Sequence, residues 1–186
     1  MSRHQTTPTY HIMIRSERNA ALFYDQKDYS HYLHLLTKMK HHSPFNIHAY
    51  SMIPSQIHLL VEPLKTKVST IIRYIQTTYG VYFNRRYEGN GLIFKGEFLF
   101  QGIKDDTHFF QTSRFIHRVP TAQKITANIH HYRWSSARDY LSPQAEEAPI
   151  HPFLTLDRTL DSFSLPKHER FHDFLYTSTQ MKINSL

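Results

Sequence analysis

An α+β fold, built on a ferredoxin-like split βαβ antiparallel sheet with helices on one face and a short C-terminal helical tail, is predicted by three observations. Four short segments read as extended, and three longer ones repeat apolar residues at three- and four-residue spacing. Pro, Gly, Asn and Asp clusters separate them. Their order is strand, helix, strand, strand, helix, strand, helix, which is that of the split βαβ arrangement.

The first strand spans Thr9 to Arg15, with Tyr10, Ile12 and Ile14 alternating against His11 and Met13. After a loop through Arg18 and Asn19, Asp25 is placed to cap a helix whose apolar stripe is Tyr29, Tyr32, Leu33, Leu36 and Met39. His41-His42-Ser43-Pro44 ends it, because the residue before a proline is pushed out of the helical region. Phe45 to Ile53 and Ile57 to Val61 form the next two strands, joined through Pro54-Ser55 closely enough to be an antiparallel pair. Val68, Ile71, Ile72, Ile75, Tyr79, Tyr82 and Phe83 mark a second helix from about Lys67 to Tyr87, stopped by Glu88-Gly89-Asn90-Gly91. Phe94 to Ile103 is extended, Lys104 to Thr107 turns and caps, and a third helix runs from about His108 to Arg118, before Pro120. The chain divides into a main domain over 1–141, a Pro- and Glu-containing linker over 142–152 and a helical tail over 153–186, where Leu156, Leu160, Phe163, Phe171, Phe174 and Leu175 can pack on the body.

Composition narrows the function classes. With 186 residues, 40% of them hydrophobic, and 13 Phe beside 12 Tyr, the chain can bury a sizeable core and is not a disordered segment. No apolar run reaches the about 20 residues of a membrane helix, and Met1 to Tyr10 lack the apolar centre of a secretory signal, so a cytoplasmic location without a membrane partner is expected. Cys is absent, which removes disulfides and thiolate metal sites. Twenty-two Lys and Arg against 15 Asp and Glu give a net charge of +7 and a pI near 9.6, a balance that favours a polyanion such as nucleic acid.

Two segments carry the sharpest signal. In Met52-Ile53-Pro54-Ser55-Gln56-Ile57-His58-Leu59-Leu60-Val61, residues Gln56 and His58 are two apart on a strand and share a face. Arg114-Phe115-Ile116-His117-Arg118-Val119-Pro120 closes the third helix, and Tyr132-Arg133-Trp134-Ser135-Ser136 follows it. Together these resemble the single-tyrosine HUH transposases, most closely their REP-associated branch, over roughly Thr9 to Tyr140. The resemblance implies a metal-binding His pair at positions 56 and 58, a nucleophilic tyrosine at 115 and a metal-binding amide at 119. Gln56, Phe115 and Val119 stand at three of these positions and only His58 is kept, so the catalytic constellation is not intact.

The chemistry of such an enzyme needs a Mg²⁺ or Mn²⁺ to polarise the scissile phosphate and a tyrosine oxygen to attack it. Phe115 has no such oxygen, and His58 with Gln56 offers one good ligand and one poor one, so no cofactor, or only weakly held Mg²⁺ or Mn²⁺, is expected. DNA, single-stranded or folded into hairpins, is the partner the resemblance implies. Lys65, Lys67, Arg73, Arg85, Arg86, Arg114, Arg118 and Arg133 are the candidate phosphate contacts, with Tyr74, Tyr87 and Tyr132 available to stack on unpaired bases. Three functions stay open: a transposase-like DNA-binding protein lacking strand cleavage and rejoining, an active transposase using an atypical tyrosine (Tyr74, Tyr79, Tyr82 or Tyr132), and a regulatory adaptor. Monomer and homodimer stay open too.

Overall fold

The computed structural model describes residues 8–17, 20–142 and 151–177. Most of the expected linker and the last residues of the expected tail lie outside them, as do Arg18, Asn19 and the first seven residues. Strands β1 (Tyr10–Arg15), β2 (Phe45–Ile53), β3 (Gln56–Pro63) and β4 (Leu99–Gly102) form one sheet in the order β2-β3-β1-β4, every pair antiparallel. The crossover helices are α1 (Gln26–His42) and α2 (Val68–Arg86). Asp25 caps α1 as its side chain accepts from the N–H groups of Lys27 and Asp28. At the end of α2, Glu88 takes the left-handed position at φ 52°, and Gly89 N–H closes onto the Asn84 carbonyl, where a Cβ would meet Asn84 Oδ1 at 2.9 Å.

Ile12, Ile14, Tyr50, Met52, Ile57, Leu59 and Val61 face α1 and α2 and build the main core with Leu33, Leu36, Ile71, Ile72 and Ile75. Helix α3 (Asp106–Ala122) lies on the other face, where Phe109 and Ile116 meet Ala49 and Leu60. The expectation of helices on one face therefore holds for α1 and α2 only. A β-bulge between Ile47 and Ala49 explains how β2 serves both layers: the extra residue, His48, faces Phe109 of α3 while Ile47 and Tyr50 stay in the main core.

Two boundaries differ from expectation. Only Leu99–Gly102 of the 94–103 segment pairs with β1, apart from one bridge between Ser16 and Phe94, because Gly96 turns the chain at φ 52°. Helix α3 continues through Pro120, whose missing N–H costs a single bond in the last turn.

The segment after α3 covers the free edge of β2. Met52 N–H bonds to the Trp134 carbonyl, Ser136 N–H to the Tyr50 carbonyl, and Ser136 Oγ accepts from Tyr50 N–H while lying 2.7 Å from His117 Nε2. Short helices α4 (Ala137–Leu141) and α5 (Asp157–Leu160) and the longer α6 (Lys167–Tyr176) complete the described chain. Of the tail residues expected to pack on the body, Leu156, Leu160, Phe171 and Leu175 are buried, whereas Phe163 and Phe174 are only partly covered; Phe153 is buried too.

Candidate functional site

Strand register assembles the site. Met13 lies opposite His58, His11 opposite Leu60 and Arg15 opposite Gln56, so all six residues project toward α3. His58 is 2% exposed, with Nδ1 3.2 Å from His11 Nε2 and Nε2 3.2 Å from Gln56 Oε1. An amide oxygen only accepts, so His58 donates from Nε2 to Gln56, and its Nδ1 accepts from His11 Nε2–H. The two imidazoles stack with centroids 5.4 Å apart, and Phe115 closes edge-on over both, at 5.7 Å from His11 and 5.6 Å from His58. Val119, one turn later, packs with Ile53 and Tyr132.

Burial holds both histidines neutral. Desolvation lowers His11 to about 4, with His108 adding to the effect, and lowers His58 to about 3, with the charges of His11 and Arg15 adding to it. His11 was not singled out by the sequence reading, because its link to His58 runs through strand pairing 47 residues apart and leaves no local pattern. Gln56, His58 and Phe115 meet, and Val119 lies beside Phe115 in the cluster with Ile53 and Tyr132.

These residues do not fit a divalent metal. The one lone pair of neutral His58 accepts from His11, the Gln56 oxygen is engaged by His58, and among the described residues no three His, Asp or Glu side chains converge.

The four alternative tyrosines fare no better. Tyr74, Tyr79 and Tyr82 belong to α2, on the far side of the sheet from α3. Tyr79 donates to the Leu22 carbonyl and Tyr82 to Asp28. Tyr132 does neighbour Val119, but its hydroxyl donates to the Met52 carbonyl at 2.7 Å and burial pushes its pKa up, which opposes formation of a nucleophilic phenolate.

The eight candidate cations do not form one patch. Lys65 and Lys67 are exposed at the start of α2, beside the end of α1 where Ser43 bonds Thr66. Arg85 and Arg86 lie at the other end of α2, about 27 Å away at 1.5 Å per residue. Arg73 is exposed and pairs with Glu97 at 2.5 Å, while Arg118 is half-buried and Arg133 exposed. Two of the candidate phosphate contacts are held by the fold instead. Arg86 grips Asp25 and the fully buried Asp28, each at 2.6 Å, and Asp28 also accepts from Tyr24 N–H and the hydroxyls of Tyr82 and Tyr87. Arg114 is 4% exposed, stacked 5.0 Å from the Phe174 ring and donating to the Phe174 carbonyl, because α6 covers that side of α3. Removing Arg85, Arg86 and Arg114 together would therefore disturb the fold, contrary to what helix spacing alone implies.

The family model described as "Transposase IS200 like" matches residues 4–105. Among solved structures, a REP-associated tyrosine transposase bound to a REP hairpin aligns at TM-score 0.61 with 18% identity, over 75% of this chain and 85% of that one. A candidate transposase from Deinococcus radiodurans R1 aligns at TM-score 0.45 with 11% identity, over 67% and 94% of the two chains. No curated protein matches the chain. No helix of the described residues is long and apolar enough to cross a membrane.

Proposed function

Because the chain belongs to the IS200-like transposase family, we propose that it binds single-stranded or hairpin DNA without cutting and rejoining strands. The observation that carries this reading is the Phe115 ring, seated against His58 and His11 at the position where the family pattern places the attacking tyrosine. A hydrocarbon edge there excludes water and offers no oxygen to phosphorus. The folded hairpin as ligand is supported by the solved relative, which holds a REP hairpin. The basic charge and the exposed Lys65, Lys67, Arg73, Arg85 and Arg133, with the half-buried Arg118, supply phosphate contacts. Arg86 and Arg114 act on the fold in this account and not on DNA.

Binding to hairpin DNA is expected to persist in EDTA and to weaken steeply with salt. Each phosphate neutralised on a single strand contributes a slope of about −0.7, so a footprint of about four contacts gives a log-log slope near −3 in fluorescence anisotropy. Arg85→Ala should flatten that slope by about one contact with an unchanged urea midpoint. Arg86→Ala should do the opposite, lowering the urea midpoint with little change in slope, since it strands the buried Asp28 carboxylate. Wild-type protein that ignores hairpin DNA at low salt would favour the adaptor reading.

A further inference from the structure

The chain carries 15 histidines, and two of them meet far from His58, where the helical tail crosses the segment that follows α3. His130 belongs to the short 3₁₀ turn Ile129–His131, whose start is capped as the Asn128 side chain accepts from His130 N–H at 2.8 Å. His172 belongs to α6, which is anchored by the buried Phe171 and Leu175. The two imidazole centres stand 5.3 Å apart. Tyr176, one turn beyond His172, lies against both rings, at 4.7 Å from His172 and 6.3 Å from His130.

That separation suits a metal ion. With Zn–N bonds of about 2.0–2.1 Å the ion lies about 3.2 Å from each ring centre, and a tetrahedral N–Zn–N angle then sets the two centres about 5.2 Å apart. An ion therefore fits without moving the turn away from α6. The donors are available as well. His172 Nδ1 lies 3.5 Å from Asp173 Oδ1, so its N–H is directed at a carboxylate and the Nε2 lone pair is left for a ligand. A carboxylate behind an imidazole in this way orients the ring and raises its basicity toward a metal. Neither ring nitrogen of His130 is engaged by another described residue, and both rings are only half-buried, so an ion can reach them. At the His58 site the reverse holds, since both nitrogens of that ring are taken by His11 and Gln56.

We infer that His130 and His172 form a surface site for a borderline divalent ion of the zinc or copper kind, which ties α6 to the turn after α3. Imidazole nitrogen suits Zn²⁺ and Cu²⁺, whereas Mg²⁺ takes oxygen ligands, so the site discriminates against Mg²⁺. Among the described residues no three His, Cys, Asp or Glu side chains converge, so water completes the coordination and the ion exchanges with solution. An ion that binds only when α6 is docked stabilises the docked state by mass action. The inference is independent of the DNA-binding reading, and its test contains no DNA.

The full-length, untagged protein is titrated with ZnCl₂ or MgCl₂ by calorimetry at pH 7.5 and melted with and without each ion. We expect one saturable Zn²⁺ site, a melting temperature raised by Zn²⁺, and neither effect with Mg²⁺. His130→Ala and His172→Ala should each weaken Zn²⁺ binding by about tenfold or more and remove the thermal shift, because each leaves a single imidazole. Asp173→Asn, which removes the charge behind His172, should weaken it by about threefold. His34→Ala is the control: its ring centre stands 6.5 Å from that of His31 on α1, and its loss should leave Zn²⁺ affinity unchanged. In the wild-type protein, substoichiometric Cu²⁺ should broaden the NMR signals of His130, His172 and their immediate neighbours before any others, a readout that needs no variant. The inference is overturned by wild-type Zn²⁺ affinity in both His130→Ala and His172→Ala, by the absence of saturable Zn²⁺ binding, or by Cu²⁺ broadening that begins elsewhere. Several weak sites, each lost in part with any surface histidine, would overturn it equally.

Discussion

Incubated with labelled hairpin DNA and Mg²⁺ or Mn²⁺, the protein is expected to yield no denaturation-resistant covalent adduct, and Phe115→Tyr alone is not expected to create one. The new hydroxyl would lie against His58, whose lone pair and N–H are already matched to His11 and Gln56. Gln56→His and Val119→Asn added to Phe115→Tyr restore the residue types the family pattern implies. His11, which in the structure stacks on His58 at 5.4 Å and donates to its lone pair, is untouched by those three changes. The triple variant should therefore stay inactive until His11 is also replaced by a small apolar residue. Denaturing gels of the three variants check this, and an adduct with Phe115→Tyr alone would show that the imidazole pair is no obstacle.

Acidification is expected to destabilise the fold well above the range in which carboxylates titrate. His11, held at about 4, and His58 and His117, both at about 3, are kept neutral in the folded state chiefly by burial, whereas the unfolded chain protonates them near 6.5. The unfolded state thus binds more protons than the folded one as pH drops below 6.5, and stability falls with pH through that window. Each such imidazole contributes a slope of up to about 1.4 kcal/mol per pH unit, so the three together approach about 4 kcal/mol per unit near pH 5. Against the 5–15 kcal/mol typical of a whole domain, such a loss is severe. His31, His130 and His151 are also lowered by burial and act in the same direction. Urea unfolding between pH 7.5 and 5 measures the slope, and a flat profile would mean that these histidines are hydrated.

The order of elements along the chain and all three long helices were legible because each rests on a local period or a local stop: Asp25 at the start of α1, the alternation in β1, the Gly-rich exit of α2. The closeness of Gln56, His58 and Phe115 was expected from the resemblance, and strand parity placed Gln56 and His58 on one face. What the sequence hid depends on contacts between distant segments. His11 completes the imidazole pair only through the β1–β3 register. Arg114 reads as exposed until α6 covers it, and Arg86 reads as free until the buried Asp28 is seen beneath it. The bulge at His48 shifts β2 by one residue, which no alternation count anticipates. Tyr50 reads as any core tyrosine of β2, yet it lines a cavity together with the distant Arg133, Trp134, Arg138 and His151.

One hairpin-binding reaction, divided between a native and a denaturing gel with EDTA or Mn²⁺ in parallel, tests the central claim most directly. The account predicts a retarded band of equal intensity in both native lanes and no retarded species in either denaturing lane. A Mn²⁺-dependent species that survives denaturation would contradict it.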